Sequence, residues 1–259
     1  MLLKDKVVVV SGVGPGLGKE VASAALRDGA CVVVGARTES RLQKIAAELD
    51  PSGQRVAYCC TDITDPGKCD ALMQVAVTRF GGLDAAVQVA AFEPLSSTLA
   101  NVSTEEWHTA FDTNVLGPVQ IARAAAPHLR ARGGGAIVFI GTQAMWKPQL
   151  PQMSYASSKG ALLSAMYYMS KELGPDKIRV NMVIPTWMWG PPVQMFVKYE
   201  AQQRGVAPEE IVRGITTNMP LGEIPPDESV ADAVVFFCSD RARMITGQSL
   251  LVNAGELMR

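Results

Sequence analysis

Residues 7–21 read VVVVSGVGPGLGKEV, and this stretch decides the fold. The four valines are typical of a buried strand, and the residues from Leu17 onward have the pattern of an amphipathic helix. Between strand and helix lie four glycines: Gly12, Gly14, Gly16 and Gly18. Glycines there permit a tight turn and let a ligand approach the backbone. Because the free N–H groups of a helix start favour anions, the stretch predicts a phosphate-binding loop.

The glycine spacing differs from the G-x-G-x-x-G fingerprint of many dinucleotide-binding loops. Started at Gly12, that fingerprint needs a glycine where the chain has Leu17. Started at Gly14, it needs one where the chain has Lys19. The pattern G-x-x-x-G-x-G fits instead, from Gly12 to Gly18. A dinucleotide pyrophosphate is the predicted ligand, and a merely tight turn is the alternative that the loop alone leaves open.

Short apolar runs alternate with longer helical patterns along the chain. The predicted strands are Lys6–Val10, Cys31–Ala36, Arg55–Cys60, Asp84–Val89, Ala136–Gly141, Arg179–Ile184 and Ser249–Val252. The predicted helices lie near 17–28, 39–49, 66–80, 104–129, 153–173 and 228–239. Apolar strands separated by helices indicate a parallel sheet covered on both faces. We expect an α/β fold of one domain over residues 1–259, a three-layer Rossmann-type, doubly wound sheet of about seven strands.

The segment 186–226 interrupts this alternation with several prolines. Long connections of this kind often carry function. We expect a substrate loop or lid that contains one or two short helices.

The composition carries no strong charge signal. The chain has 24 basic and 25 acidic residues, with a net charge of −1 at pH 7. This balance offers nothing to nucleic acid or an anionic membrane, so we expect neither as a partner. Five cysteines lack metal-ligand spacing: Cys31, Cys59, Cys60, Cys69 and Cys238. They predict reduced, mostly buried thiols and no metal site. Residues 1–10 (MLLKDKVVVV) lack a cleavage site and the chain has no run of about 18 apolar residues, so we expect a cytoplasmic location.

Tyr155 and Lys159 lie four positions apart in SYASSKGALL, so both project from one face of the predicted helix. A free tyrosine has a pKa of about 10 and is a poor acid or base at neutral pH. A nearby ammonium group lowers that pKa by stabilising the phenolate. The pair alone could be a solvated helix face, but together with the glycine loop it indicates a catalytic pair.

These motifs resemble the short-chain dehydrogenase/reductase (SDR) family, and the resemblance extends from Lys6 to Gly255. It implies an oxidoreductase that transfers a hydride between a nicotinamide cofactor and an alcohol or ketone. The family's catalytic residues fall on Asn114, Thr142, Tyr155 and Lys159. The resemblance makes Tyr155 the acid/base and lets Thr142 orient the carbonyl oxygen. It also implies that Lys159 lowers the tyrosine pKa and binds the nicotinamide ribose, while Asn114 anchors a proton-relay water.

The resemblance further implies a set of cofactor-binding residues: Ser11, Gly12, Gly14, Gly16, Leu17, Gly18, Arg37, Asp62, Ile63, Ala90, Tyr155, Lys159 and Pro185. Three positions depart from the family pattern. The family's serine is Thr142, its Asn-Asn-Ala-Gly is 88–91 (QVAA), and its Pro-Gly is Pro185-Thr186. The extra methyl group of Thr142 restricts its rotamer, so we expect activity with a narrower carbonyl site.

Pro118 gives an independent reason to single out Asn114. The predicted helix 104–129 opens with a capping-box pattern at 103–106 and carries Pro118 in its interior. Because proline has no N–H, the Asn114 carbonyl loses its helical donor and becomes free to hold a water. An ordinary proline kink is the alternative.

The cofactor type depends on the residue that follows the second predicted strand. NAD-specific folds place a carboxylate there, whereas an arginine accommodates a 2′-phosphate. The chain has Ala36 at the acidic position and Arg37 next. NADP is therefore favoured over NAD, although Arg37 could instead stack on adenine. Against NADP, Pro15 stands where many NADP-dependent relatives carry a basic residue.

Bulky apolar side chains lie close in sequence to the catalytic residues: Met145, Trp146, Met153, Trp187, Met188, Trp189, Met195 and Phe196. Such a wall suits a small hydrophobic alcohol or ketone better than a sugar. Core packing or a subunit interface is the alternative. The helix 153–173 is apolar around much of its circumference, which predicts a homodimer or homotetramer.

Two other classes of protein are alternatives. A hydrolase needs a nucleophile elbow and a histidine, but the chain has no G-x-S-x-G and only His108 and His128. A non-catalytic NAD(P)-binding sensor or scaffold fits Thr142 and the altered segment 88–91. The complete tyrosine, lysine and asparagine set argues against it.

Overall fold

A computed structural model describes all 259 residues. Seven parallel strands form one sheet in the order β3-β2-β1-β4-β5-β6-β7. The strands are β1 (Val7–Ser11), β2 (Cys31–Ala36), β3 (Val56–Cys60), β4 (Ala85–Gln88), β5 (Gly135–Ile140), β6 (Ile178–Pro185) and β7 (Ser249–Val252). The chain runs outward from β1 to β3, returns to the sheet centre, and then runs from β4 to β7. This is the doubly wound arrangement that the sequence predicts, and the fold class is confirmed.

The helices cover both faces of the sheet. They are α1 (Leu17–Arg27), α2 (Glu39–Leu49), α3 (Pro66–Phe80), α4 (Thr104–Phe111), α5 (Gly117–Ala131), α6 (Met153–Leu173), α7 (Pro191–Arg204), α8 (Pro208–Thr216) and α9 (Asp227–Cys238). No helix is long and apolar enough to cross a membrane.

The helix predicted over 104–129 is present, but a π-helical turn at Asp112–Leu116 interrupts its α-helical hydrogen bonding and divides it into α4 and α5. Pro118 lies in the first turn of α5 and has no N–H to donate back along the chain. The helix accommodates that missing donor by widening one turn, a feature frequent at functional sites. Ser103 caps α4, since its Oγ accepts a hydrogen bond from the Glu106 N–H at 3.0 Å.

Two apolar cores lie on opposite faces of the sheet. Successive residues of a strand point to opposite faces, so Val8 and Val10 enter one core and Val7 and Val9 the other. Helices α1, α2 and α9 pack on the first face, and α3, α5 and α6 on the second. Both faces of every central strand are therefore buried, which accounts for the unbroken apolar runs in the sequence.

The segment 186–226 forms α7 and α8, in agreement with the predicted one or two helices. The two helices pack together around a small core of Val197, Ala201 and Ile211. This core is separate from the two that flank the sheet. The segment therefore has packing of its own beside the carboxyl end of β6.

Candidate active site

The predicted site residues meet at one edge of the sheet. Ser11 ends β1, Arg37 follows β2, Asp62 follows β3, and Thr142 follows β5. The carboxyl ends of parallel strands share an edge, which is where α/β sheets bind ligands. The topology therefore brings together residues that are far apart in sequence.

The glycine loop follows β1 and packs tightly against its neighbours. Gly12 has a φ of +96°, and a Cβ there would overlap the backbone nitrogen of Ala90. A Cβ on Gly18 would lie 2.9 Å from the Cα of Val13. Gly14, in contrast, has nothing within 4 Å of such an added atom. Two of the glycines thus permit close backbone packing, and Gly14 leaves the loop open.

A groove of about 840 Å³ runs along this loop. Seven of the predicted cofactor-binding residues line it: Ser11, Gly12, Gly14, Arg37, Asp62, Ile63 and Ala90. Gly16, Leu17 and Gly18 lie at the start of α1. The buried Ser11 hydroxyl has no hydrogen-bond partner in the protein. An unpaired hydroxyl beside a glycine cradle and a helix N-terminus fits a dinucleotide pyrophosphate.

Two arginines line the groove beyond β2. Arg37 is the predicted one, and Arg41 at the start of α2 is a second that the sequence reasoning missed. Asp62 lies on the same groove, and hydrogen bonds from the backbone and side chain of Thr64 lower its pKa, with a smaller contribution from Arg37. This part of the groove therefore presents two guanidinium groups and one carboxylate.

Tyr155 and Lys159 are both buried on α6, with 7% and 1% of their surface exposed. The Lys159 ammonium lies 5.8 Å from the centroid of the tyrosine ring. It donates a hydrogen bond to the Ile140 carbonyl oxygen at 2.7 Å. Thr142 follows closely after that strand, and its side chain lies close enough to Tyr155 to affect the tyrosine pKa. The structure thus brings three of the four predicted catalytic side chains together.

Asn114, the fourth, is fully buried within the π-helical turn. Its Oδ1 accepts a hydrogen bond from the Phe92 N–H at 2.8 Å, and its Nδ2 donates to the Phe92 carbonyl oxygen at 2.8 Å. Nδ2 also donates to Ser158 Oγ at 3.0 Å. The asparagine side chain therefore joins the turn, the segment after β4 and α6.

The pKa of Tyr155 is raised above its ordinary value, contrary to the expected lowering by Lys159. Burial is the main cause, and the Glu93 carboxylate adds to it, whereas the hydrogen bond from Thr142 acts in the opposite direction. Burial also lowers the pKa of Lys159 to about 8, against the opposing effect of Glu93. Desolvation of the phenolate outweighs the ammonium in this structure. Tyr155 therefore carries its proton at neutral pH.

Glu93 is a site residue that the sequence reasoning missed. Its Oε1 accepts a hydrogen bond at 2.8 Å from Nε2 of Gln152, the residue that precedes α6. Burial raises the pKa of Glu93, although Lys159 and Gln152 act to lower it. A carboxylate shortly after the carboxyl end of β4 was a signal in the sequence, because that edge of the sheet binds ligands.

The altered segment 88–91 begins at the last residue of β4 and continues as an irregular stretch. The N–H groups of Val89 and Ala90 both donate to the Ser11 carbonyl oxygen, at 2.8 and 3.2 Å. The side-chain Nε2 of Gln88 donates to the Ala90 carbonyl oxygen at 3.0 Å. The segment is therefore tied to the glycine loop through the backbone, and the Gln88 amide braces the segment internally.

Some side chains of the predicted apolar wall pack against a core, and the others are exposed. Met145 and Trp146 pack against a sheet core, and Met188 against the other. The ring of Phe196 lies 5.3 Å from that of Trp187 and packs on the α7–α8 core. Met153, Trp189 and Met195 remain exposed. Core packing, the alternative to a substrate wall, thus accounts for several of these side chains.

Glu256, near the end of the chain, links the loops after β5 and β6 by hydrogen bonds. Its carboxylate accepts hydrogen bonds from Gln143 at 2.8 Å, from Lys147 at 2.9 Å and from Gln149 at 2.9 Å. The Thr186 hydroxyl, next to Pro185, is a fourth donor. Burial would raise the pKa of Glu256, but these hydrogen bonds outweigh it and lower the pKa. One carboxylate therefore holds both loops beside the carbonyl site.

Glu256→Gln is expected to reduce the free energy of unfolding by roughly 1–3 kcal/mol at neutral pH, because donors then face an amide nitrogen. A lowered pKa stabilises the fold above the unfolded-state value of about 4.3, and this contribution disappears as pH falls through the folded pKa. The difference from wild type should therefore shrink in acid. Urea denaturation at several pH values measures it, with the exposed Glu223→Gln as control. A difference independent of pH would contradict this role.

Residues 12–256 match the family model described as enoyl-(acyl carrier protein) reductase. The chain is 31% identical over 260 residues to an L-rhamnose 1-dehydrogenase (NAD(P)(+)) of Azotobacter vinelandii, covering 98% of each protein. It is 27% identical over 256 residues to a 7alpha-hydroxysteroid dehydrogenase of Escherichia coli, covering 98% of this chain and 94% of that one. The structure of an L-sorbose reductase from Gluconobacter frateurii, complexed with NADPH and L-sorbose, aligns over 100% of both chains with a TM-score of 0.92 and 28% identity.

Proposed function

We propose, since the chain belongs to the short-chain dehydrogenase/reductase family of NAD(P)-dependent oxidoreductases, that it reduces a ketone with NADPH at Tyr155. The observation that carries the proposal is a buried, protonated tyrosine that lies beside the Thr142 side chain and has Lys159 near its ring. When bound, the nicotinamide supplies the hydride. The protein supplies the acid and the dry, ordered site around the carbonyl. This set favours catalysis over a sensor or scaffold role.

Each catalytic side chain has a proposed task that its contacts support. Tyr155 donates its proton to the carbonyl oxygen, and Thr142 orients that oxygen by hydrogen bonding. Lys159 contributes positive charge beside the tyrosine and binds the nicotinamide ribose. Asn114 holds the turn from which a water would relay protons towards Lys159. In the oxidative direction the same groups act in reverse, with Tyr155 as base.

NADP is the proposed cofactor in preference to NAD. Arg37 and Arg41 line the groove beyond β2, where an NAD-specific fold has a carboxylate. A guanidinium group binds a phosphate through paired, charge-assisted hydrogen bonds. Gly12, Gly14 and Ser11 would hold the pyrophosphate, and Asp62 with Ile63 would contact the adenine side. The NADPH in the L-sorbose reductase complex supports the same preference.

Arg37→Ala is expected to weaken NADPH binding by about ten- to a hundredfold, because a charge-assisted pair to the 2′-phosphate is lost. NADH affinity should stay within about threefold, since NADH has no such phosphate. Titration followed by cofactor fluorescence measures both, with Arg123→Ala, on α5, as control. Equal losses for NADPH and NADH would make Arg37 an adenine-stacking residue and remove the basis for preferring NADP.

The proposed substrate is a ketone with a largely hydrophobic skeleton. Exposed Trp189 and Met195 on the segment 186–226 support it, since they can cover an apolar skeleton. The steroid named for one relative is of that kind. The sugars named for two other relatives favour a second candidate, a polyhydroxylated substrate. Glu93 and Gln152 give that candidate a specific observation in this structure.

Several further assignments are part of the same proposal. The chain acts as one catalytic unit, with 186–226 as its substrate lid. A homodimer or homotetramer would cover Tyr167 and Tyr168, which α6 leaves 48% and 74% exposed. Small molecules and copies of the chain are the proposed partners, and a cytoplasmic location stays a prediction.

A further inference from the structure

Glu93 is fixed in place by two elements of the catalytic site. The residue before it, Phe92, has both its N–H and its carbonyl oxygen bound by the side chain of Asn114. On the other side, Gln152 donates to Glu93 Oε1 at 2.8 Å. Gln152 is itself buried, and its backbone pairs with Ser97 in an isolated parallel bridge. The carboxylate is therefore held between the π-helical turn and the start of α6.

The held carboxylate lies against the start of the helix that carries the reacting groups, because its partner Gln152 precedes Tyr155 by three residues. Its charge acts on Tyr155 and on Lys159, the titratable groups that face it from α6. Oε1 is used by Gln152, while Oε2 accepts no hydrogen bond from the protein. A carboxylate has about four lone-pair sites, so most of this acceptor capacity is unused. Glu93 thus offers a strong, oriented acceptor beside the carbonyl site.

We propose that Glu93, oriented by Gln152, binds a hydroxyl group on the carbon next to the reacting carbonyl, which makes α-hydroxyketones the preferred substrate class. A hydroxyl donor satisfies the unused oxygen, and hydrogen bonds to charged groups are among the stronger ones. A substrate without that hydroxyl leaves the exposed carboxylate oxygen to water and gains no charge-assisted hydrogen bond, so the hydroxyketone is favoured. This inference rests on the proposed carbonyl reduction and specifies its substrate.

The test compares ketones that differ in one group. Hydroxyacetone and butanone form one pair. The second pair is α-hydroxyacetophenone, with its hydroxyl on the carbon next to the carbonyl, and propiophenone. Within each pair a hydroxyl group is exchanged for a methyl group. In wild type, kcat/KM should favour the hydroxyketone by about ten- to a hundredfold. In Glu93→Gln that ratio should fall about tenfold. The ratio cancels any general loss of activity, and Glu105→Gln, an exposed carboxylate on α4, is the control.

The pH dependence of the rate is a second measurement, and a purely structural role of Glu93 would leave it unchanged. Removing the Glu93 charge lowers the pKa of Tyr155. The rate of alcohol oxidation should therefore begin to increase at a lower pH in Glu93→Gln than in wild type. An unchanged ratio in the variant, or no preference in wild type, overturns the inference and leaves ketone reduction standing. If wild type reduces none of the four ketones, the proposed function fails and this inference falls with it.

Discussion

Tyr155→Phe is expected to lower kcat for ketone reduction by about 10²- to 10⁴-fold, because the proton donor is lost. Phenylalanine keeps the ring that packs beneath the site and removes one oxygen. Since that oxygen is the acid in the proposed reaction, the effect should fall on turnover. Because phenylalanine keeps the ring and leaves the glycine loop and the arginines of the groove unchanged, NADPH affinity should change by less than about threefold.

Steady-state kinetics and a fluorescence titration with NADPH together measure this prediction. Tyr168→Phe is the matched control, because Tyr168 lies on the same helix with 74% of its surface exposed. The control should behave as wild type in both measurements. Retained turnover in Tyr155→Phe would remove Tyr155 from the role of acid and base, whatever the cofactor affinity.

Gly12→Ala is expected to reduce the free energy of unfolding by roughly 2–5 kcal/mol and to abolish tight NADPH binding. Gly12 has a φ of +96°, which an alanine adopts only with strain. The added Cβ would also overlap the backbone nitrogen of Ala90. Because that nitrogen donates to the Ser11 carbonyl oxygen, displacing it separates the loops after β1 and β4.

Gly14→Ala is the matched control two residues away. A Cβ at Gly14 has nothing within 4 Å, so stability should change by less than about 1 kcal/mol. Urea denaturation without cofactor compares the two variants, and titration with NADPH follows. Equal stability losses at Gly12 and Gly14 would mean that the close approach of the two loops does not determine the loop's structure.

The sequence predicts the fold well because short apolar runs and amphipathic helical patterns alternate along it. Buried parallel strands are apolar throughout, and both Cys31–Ala36 and Ser249–Val252 have the bounds predicted for them. The π-helical turn between α4 and α5 was not predicted, because a proline beside a π-helical turn and a proline in an ordinary kink look alike in sequence. Asn114, within that turn, is hydrogen-bonded to the backbone of Phe92, a contact that no local pattern specifies.

The predicted catalytic residues come together because each lies beside the carboxyl end of a strand or on α6. The sequence could not predict Glu93, Gln152 or Glu256, since their contacts join segments far apart in the chain. Glu256 contacts Gln143 from a distance of more than a hundred residues. No local pattern specifies such a contact, and only the position of Glu93 after β4 hinted at its role.

The direction of the Tyr155 pKa shift was also beyond the sequence. The spacing of Tyr155 and Lys159 indicates an ammonium nearby but not how much water remains around the phenol. Burial removes that water and dominates the result. Several residues of the predicted apolar wall instead pack against a core. The sequence could not distinguish the two, because an apolar side chain such as Trp146 fits a core as well as a pocket.

Transfer of deuterium is the measurement that tests the central claim most directly. NADPH carrying deuterium at the reactive nicotinamide carbon is incubated with the protein and the four ketones, and the alcohols are examined by mass spectrometry. We predict that the alcohol formed carries deuterium on the former carbonyl carbon, and that Tyr155→Phe forms almost none. An alcohol without deuterium, or no alcohol from any ketone although NADPH binds, would contradict hydride transfer at this site.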